Sequence, residues 1–282
     1  MKMDPNLYDI KDGPKDGKKV FRKLGTCSRT FFYILNREFG HPREQEERAA
    51  DSLAGGIMQK GHQCGMLWGA SLAVGAEAYR QCNNQSQAIR VAINATQSLM
   101  ESFSKREHTI NCSDITKCDF SNKLSFAKYF FSGRFLHCFD LAEKWAPEAV
   151  QSAIAGLSYK ETELSKDCVS CATEVVKKMG ASDEEMIMVA GFAGGLGLSG
   201  SGCGALSAAI WMKSLEWCKE EKKKSSFKNP NSKKVLEIFN LETDSRILCA
   251  DISGAHFMNI DDHTSFIKKG GCAELINTLA ES

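Results

Sequence analysis

The chain has little proline, five residues in 282, and almost no segment in which apolar and polar side chains alternate as in a half-buried strand. Because alternation marks strands and proline breaks helices, both shortages predict a mainly helical protein. An excess of charge is also missing, since 36 basic and 35 acidic residues give a net charge of +1. Nucleic-acid binding requires a surplus of lysine and arginine on one face, so nothing in the composition predicts it.

Several functional motifs are missing as well. Residues 1–6 contain no apolar segment typical of a secretory signal, so we expect the chain to stay in the cytoplasm. No Cys-x-x-Cys-His motif is present, since Ala172 follows the pair Cys168 and Cys171, and we expect no covalent haem. The sequence also lacks a serine triad signature and a P-loop, and residues 195–200 match a dinucleotide-binding motif only in part.

One uncharged run, residues 186–212, is long enough to cross a bilayer. Glycines and serines interrupt it, and the equivalent run in the first half, residues 55–73, contains Lys60 and His62. Two tightly packed buried helices explain this composition better than a membrane span. We therefore do not expect membrane association.

What the sequence does contain is a glycine-rich stretch, residues 191–205, that includes Cys203 and leads into an apolar helical pattern. The first N–H groups of a helix and its dipole favour an anion, so a thiolate, or a negatively charged cluster bonded to it, is stabilised there. The first half repeats the stretch, from Ala54-Gly55-Gly56 to Cys64. A repeat of this length predicts tandem domains.

The predicted fold class is therefore all-α, with two homologous helical units. We predict an N-terminal arm over residues 1–19, a first unit over 20–157 and a second unit over 158–282. Each unit, with about 140 residues, is long enough to bury a modest hydrophobic core.

Twelve cysteines are the most informative feature of the composition. In a reducing compartment they are not expected to form a disulfide framework, so metal ligation or redox chemistry is the favoured explanation. Alignment of the two copies matches four cysteines of each unit. The matched pairs are Cys27 with Cys171, Cys64 with Cys203, Cys112 with Cys249, and Cys138 with Cys272.

Four thiolates are the complete ligand set of an iron–sulfur cluster, and equally of a structural zinc ion. Structural zinc sites usually take their ligands from two tight knuckles, whereas the matched cysteines come singly from separated elements. We therefore predict that these eight cysteines are metal ligands for one iron–sulfur cluster per unit, either [4Fe–4S] or [2Fe–2S]. The alternative for any one of them is packing in the core, because cysteine is among the most buried residue types.

Packing is the favoured role for the four unmatched cysteines, Cys82, Cys118, Cys168 and Cys218. Of these, Cys168 is predicted to share a helix with Cys171, three residues later, and so to lie on the same face as an alternate ligand or a resolving thiol. His62 and His137 lie within two residues of a predicted ligand, but their counterparts are Ser201 and Gly271. We therefore expect both histidines to lie outside the ligand set.

Together these residues resemble the C_GCAxxG_C_C family of redox-active bacterial and archaeal proteins, which is similar to part of the split-Soret cytochromes. The departures from its pattern are Ala208 at the last glycine of the second unit and Met66 in place of alanine in the first. The resemblance is clearest in the second unit, through Ser170-Cys171-Ala172-Thr173, Gly202-Cys203-Gly204-Ala205, Cys249 and Cys272. It extends more weakly over the first unit through Cys27, Cys64-Gly65, Cys112 and Cys138.

Family members commonly carry one such unit, so the resemblance implies that the two units pack as a pseudo-dimer within one chain. It also implies a redox function and iron–sulfur binding. The leading hypothesis is an iron–sulfur electron-transfer protein with a redox partner protein, an electron carrier or redox subunit more than a stand-alone enzyme. Homo-oligomer formation stays open.

Two other classes of function stay open beside this hypothesis. One is a metal-free thiol–disulfide redox enzyme that uses Cys168 and Cys171 as a neighbouring pair. The other is a structural zinc or partner-binding helical module. Reactive thiols in the purified protein would identify the first class, and zinc without iron or sulfide would identify the second.

Overall fold

The computed structural model describes residues 13–158, 167–221 and 225–282. Within these ranges the chain forms fifteen α-helices and three short 3-10 helices, with two isolated bridges in place of strands. The all-α prediction is confirmed. Residues 1–12 of the predicted arm lie outside the described ranges, and the first helix already begins at Gly17.

The two units contain corresponding helices in the same order, and the first unit has one additional helix, α1 (Gly17–Leu24), before them. The other helices of the first unit are α2 (Cys27–Glu38), α3 (Glu44–Ala49), α4 (Gly65–Gln81), α5 (Gln85–Glu107), α6 (Cys112–Thr116), α7 (Lys123–Phe131) and α8 (Phe135–Leu157). Those of the second unit are α9 (Cys171–Lys178), α10 (Asp183–Met188), α11 (Gly204–Glu220), α12 (Pro230–Glu242), α13 (Cys249–Ser253), α14 (Ile260–Lys268) and α15 (Ala273–Glu281).

Side-chain caps fix where the second unit's first two helices begin. Ser182 and Glu185 form a capping box at the start of α10, as their spacing in the sequence indicates. A second capping box, between Ser170 and Thr173, starts α9 at Cys171. The prediction that Cys168 shares a helix with Cys171 is therefore wrong, because the chain enters the cap in an extended conformation at Ser170.

The units pack as an intrachain pseudo-dimer around their central helices, α4 and α11. Helix α4 contacts α10 of the second unit, and α11 contacts α3 of the first. At the first crossing a Cβ on Gly75 would lie 2.4 Å from the Met188 carbonyl oxygen, so only glycine allows this approach. Trp68 of α4 packs edge-on against Phe192, with ring centroids 4.7 Å apart. One hydrophobic core thus runs through both units.

The segment that follows each central helix reaches the opposite unit. After α11, Ser225 donates a hydrogen bond of 2.9 Å to the Asp51 carboxylate of the first unit. After α4, Ser86 accepts a hydrogen bond of 3.0 Å from the Cys168 N–H of the second unit. Each unit therefore contributes a serine hydroxyl to a hydrogen bond with the other.

Among the described residues no helix is both long and apolar enough to span a bilayer. The uncharged run at residues 186–212 instead contains the end of α10, a turn and the start of α11. These segments are buried against the first unit, which explains their lack of charge.

Candidate functional site

Each glycine-rich stretch forms a left-handed turn in front of a central helix. All five residues at 55–59 have φ between 49° and 75°, and all five at 194–198 have φ between 56° and 85°. Glycine adopts this conformation readily, but a residue such as Ile57 does so at a cost of about 1–2 kcal/mol. Backbone hydrogen bonds across six residues close the turns, for example from the Gly197 N–H to the Gly191 carbonyl at 2.8 Å.

A short backbone bridge joins the cysteine after each turn to the next cysteine along the chain. In the first unit the Cys64 N–H donates to the Ile110 carbonyl at 2.7 Å, and the Cys112 N–H donates to the His62 carbonyl at 2.6 Å. These bonds hold the start of α6 beside the start of α4. The second unit repeats both, from Cys203 to Ile247 at 2.8 Å and from Cys249 to Ser201 at 2.5 Å.

The four matched cysteines of the first unit converge on one cavity. Cys27 begins α2, Cys64 directly precedes α4, Cys112 begins α6, and Cys138 lies in the first turn of α8. All four line a space of about 570 Å³. Residues up to 111 positions apart in the chain are thus brought together, as the matched spacing predicts.

The four matched cysteines of the second unit also share one space, but that space is closed. Cys171, Cys203, Cys249 and Cys272 surround about 10 Å³, which is barely the room for one water molecule. Aromatic and aliphatic side chains of α14 and of the segment before it complete the lining.

An aromatic pair that the sequence analysis missed covers each group of cysteines. Phe120 and Tyr129 line the first cavity with ring centroids 5.4 Å apart, and Phe257 and Phe266 line the second at 5.2 Å. Each first-unit ring precedes its counterpart by 137 positions, the same offset that relates Cys112 to Cys249. That shared offset is the signal by which the sequence could have revealed the pairs.

The helices that carry Tyr129 and Phe266 pack differently in the two units. No residue of α7 is buried, and Leu124 and Phe131 are 82% and 87% exposed. Helix α14 instead buries Ile260, His263 and Thr264. The larger first cavity follows from this difference, because α7 contacts the site without closing over it.

The thiols of the first unit differ in acidity. A hydrogen bond with Cys64 lowers the pKa of Cys27 to about 7 against the effect of burial, and the Gly55 N–H adds to the lowering. The same hydrogen bond raises the pKa of Cys64. Burial raises the pKa of Cys138 to about 11, although a hydrogen bond from the Tyr129 hydroxyl, 3.6 Å from its Sγ, opposes the rise.

Burial dominates the acidity of the thiols in the second unit. It raises the pKa of Cys171 to about 11 and that of Cys203 to about 12. The N–H of Gly194 faces Cys171 and the N–H of Leu206 faces Cys203, and both oppose the rise. The predicted stabilisation of a Cys203 thiolate by the N-terminus of α11 is therefore present but smaller than the effect of burial.

The unmatched cysteines and the two histidines near the ligand set do not line either cavity within the described part of the chain. The Cys168 Sγ lies 3.4 Å from the Thr264 hydroxyl, behind α14. His137 lies 3.0 Å from the Glu107 carboxylate. His62 contributes its backbone carbonyl to the bridge described above.

The two sites fit a multi-atom cofactor to different degrees. Across the described ranges no three or more histidine, cysteine or acidic side chains are arranged to hold a single metal ion. In the first unit, four thiols around about 570 Å³ provide both the donors and the room for a larger group. In the second, the donors are the same, but the thiols have to separate before such a group fits. Metal ligation by the eight cysteines stays a prediction.

A protein-family model described as "Putative redox-active protein (C_GCAxxG_C_C)" matches the chain twice, over residues 26–180 and 167–282. Together the matches cover most of the chain, and each includes one complete set of matched cysteines. The double match agrees with a tandem duplication. Searches of curated proteins and of solved structures gave no significant match.

Proposed function

Because the chain belongs to the C_GCAxxG_C_C family of redox-active proteins, in two tandem copies, we propose that it is an electron-transfer protein with one iron–sulfur cluster in each unit. The observation that carries the proposal is the convergence of four thiols on one cavity of about 570 Å³ in the first unit. A bound cluster supplies one-electron transfer. The proposed ligands are Cys27, Cys64, Cys112 and Cys138, and in the second unit Cys171, Cys203, Cys249 and Cys272.

The backbone around the thiols supports a negatively charged group. The Gly55 N–H faces Cys27, and the Met66 N–H in the first turn of α4 faces Cys64. Gly194 and Ala205 repeat these contacts in the second unit. Such N–H groups offset the negative charge on thiolate ligands, which raises the reduction potential relative to that of an exposed cluster.

Aromatic side chains and burial limit the access of water to the proposed ligands. Phe120 and Tyr129 cover one side of the first site, and Phe257 and Phe266 cover the second. Most of the ligand thiols have a raised pKa, so they must lose protons when a metal binds. We therefore expect cluster binding to release protons and to favour higher pH.

The Cys27 and Cys64 pair supports a second candidate function, metal-free thiol–disulfide exchange. The two thiols are hydrogen-bonded, and the pKa of Cys27 is lowered to about 7. Low-pKa thiols that face an accessible cavity are typical of redox enzymes. If the protein works in this way, the reactive pair is Cys27 and Cys64, because the Cys168 thiol faces Thr264 and not the second cavity.

Metal analysis separates these functions. We expect the anaerobically purified chain to contain iron and acid-labile sulfide, with an EPR signal after reduction. Cys64→Ser and Cys203→Ser should each lose about half of the iron, because each removes one ligand of one four-thiolate site. Cys218→Ser, which changes a buried cysteine outside both cavities, should keep all of it.

Three results would contradict the proposal. Zinc without sulfide would indicate a structural zinc module. A metal-free protein with a readily alkylated Cys27 would indicate thiol chemistry. Loss of all iron in either single variant would contradict one independent cluster per unit and indicate a cluster shared between them.

A further inference from the structure

The first cavity has a lining that a four-thiol site alone does not require. Its volume of about 570 Å³ lies within the range of small-molecule binding sites, while the same four cysteine positions enclose about 10 Å³ in the second unit. Apolar side chains line much of the first cavity, among them Phe21, Leu24, Phe120 and Phe227. A few polar groups face the same space, namely Thr26, Arg29, Asp51 and Ser225.

Arg29 is the cation of this polar set. It lies on α2 two residues after Cys27 and is half-buried, and its Nε is buried without a hydrogen-bond partner among the described residues. The buried Asp51 and Glu47 carboxylates attract Arg29 electrostatically, but neither accepts a hydrogen bond from its Nε. One Asp51 oxygen accepts a hydrogen bond of 2.6 Å from the Thr26 hydroxyl, and the other accepts one of 2.9 Å from Ser225. A guanidinium in this position favours an anion with oxygen acceptors.

The described residues of the second unit contain no counterpart of Arg29 and Asp51. When the copies are aligned on Cys27 and Cys171, Thr173 takes the place of Arg29, and its hydroxyl is used in the capping box of α9. When they are aligned on the glycine turns, Ala190 takes the place of Asp51. The polar groups are therefore separate from the machinery that assembles four thiols, which both units share.

We infer that the first cavity binds a small organic anion with an apolar, ring-sized body. Its carboxylate, sulfonate or phosphate group pairs with Arg29, and its apolar body lies against side chains such as Phe21 and Phe227, beside the cysteines. The inference does not depend on the proposed clusters, because Arg29 and the apolar walls belong to the protein itself.

Two fluorescent probes of nearly equal shape test the charge preference on the full chain. These are 8-anilinonaphthalene-1-sulfonate, which is an anion, and N-phenyl-1-naphthylamine, which lacks the sulfonate. We expect Arg29→Gln to weaken binding of the anion by about tenfold or more, since it removes a charge-assisted hydrogen bond, and to leave the neutral probe almost unchanged. Arg134 is a surface arginine of the same unit that does not line the cavity, so Arg134→Gln should leave the affinity for both probes unchanged.

A third variant locates the binding site. Leu24 is partly buried at the cavity wall. A tryptophan in its place, Leu24→Trp, should fill part of the cavity and weaken the binding of both probes. Phe131→Ser, on the exposed face of α7, should leave the binding of both probes unchanged. Circular dichroism and thermal unfolding confirm that each variant is folded, and if Arg29→Gln does not fold, Leu24→Trp carries the test.

The inference is overturned if Arg29→Gln binds the anion as tightly as the unmodified chain does. It is also overturned if Leu24→Trp binds both probes with unchanged affinity. It is also overturned if Phe131→Ser alone abolishes binding, because the probes then occupy the face of α7. Iron and sulfide play no part in this readout, so failure here and failure of the iron–sulfur proposal are distinguishable.

Discussion

The two cysteine sites are assembled by the same backbone elements and covered by helices that pack differently. In both units a left-handed turn, a backbone bridge and two helix starts bring four thiols together. In the second unit α14 closes over them, whereas in the first unit α7 leaves a cavity of about 570 Å³. Duplication of the unit has thus kept the part that gathers the thiols and changed the part that controls access to them.

Side-chain interactions explain why α14 closes over its cysteines and α7 does not. Helix α14 is held by a hydrogen bond of 3.1 Å from Thr264 to the Val169 carbonyl and by an ion pair between Asp261 and Arg90 of the first unit. At the position of Asp261, helix α7 carries Leu124, which cannot form such a pair. Helix α7 therefore lacks an ion pair that holds α14 against the other unit.

The largest expected difference between the two units is the loss of stability on substitution of the glycine that begins each central helix. In Gly204→Ala the new Cβ would lie 2.0 Å from the Phe192 carbonyl oxygen, so the backbone must shift, and we expect a loss of about 3 kcal/mol in the free energy of unfolding. In Gly65→Ala it would lie 2.6 Å from the Cys27 Sγ, which can rotate away, and we expect a loss of about 1 kcal/mol. Chemical denaturation measures both. Equal losses would show that the two turns pack alike.

A smaller but more specific difference concerns thiol reactivity in the metal-free protein. Because thiolate is the reactive form, alkylation of Cys27 should accelerate as the pH rises to its pKa of about 7 and then level off. Cys171, with a pKa of about 11, should react about a hundredfold more slowly at neutral pH, after allowance for its greater intrinsic nucleophilicity. Mass spectrometry after timed treatment with iodoacetamide measures the two rates.

The partner thiol supplies the control for this comparison. Cys64→Ala removes the hydrogen bond that lowers the pKa of Cys27, so the alkylation profile of Cys27 should move to higher pH. A profile that stays in place would mean that Cys64 does not set the acidity of Cys27. Similar rates for Cys27 and Cys171 in the unmodified chain would contradict the difference in pKa between the two thiols.

The smallest expected difference concerns one hydroxyl group. Tyr129→Phe removes the hydrogen bond to the Cys138 thiol, so the pKa of Cys138 should rise further and its alkylation should slow by about threefold. Phe266 occupies the equivalent position in the second unit without a hydroxyl, so the alkylation rate of Cys272 in the same variant is an internal control and should not change. If the rate for Cys138 also stays the same, the Tyr129 hydroxyl does not affect its acidity.

Much of the candidate site could be predicted from the sequence, because duplication displays the same pattern twice. The matched positions of Cys64 and Cys203 after a glycine turn predicted that they are equivalent, and the structure gives them the same backbone contacts. The spacing of Cys168 and Cys171 was misleading, because spacing alone does not show where a helix begins. The Ser170 and Thr173 capping box decides that point, and its residues were present in the sequence.

Other features could not be predicted from local sequence. The left-handed conformation of Ile57 is unusual for a branched side chain, and it exists because buried contacts and backbone hydrogen bonds hold the turn. The position of Arg29 beside Asp51 and Ser225 depends on a loop that arrives from the opposite unit. Neither follows from periodicity or composition.

The sequence by itself determined the helical class, the duplication and the two sets of four cysteines, because these are properties of composition, periodicity and internal offset. Only the tertiary structure decided that the first set faces an accessible cavity and the second is closed, and that Cys27 is the acidic thiol. The physical reason is that burial and hydrogen bonding at each thiol depend on helices and loops that are far away in the chain. Their packing determines how much water, and how much room, each site retains.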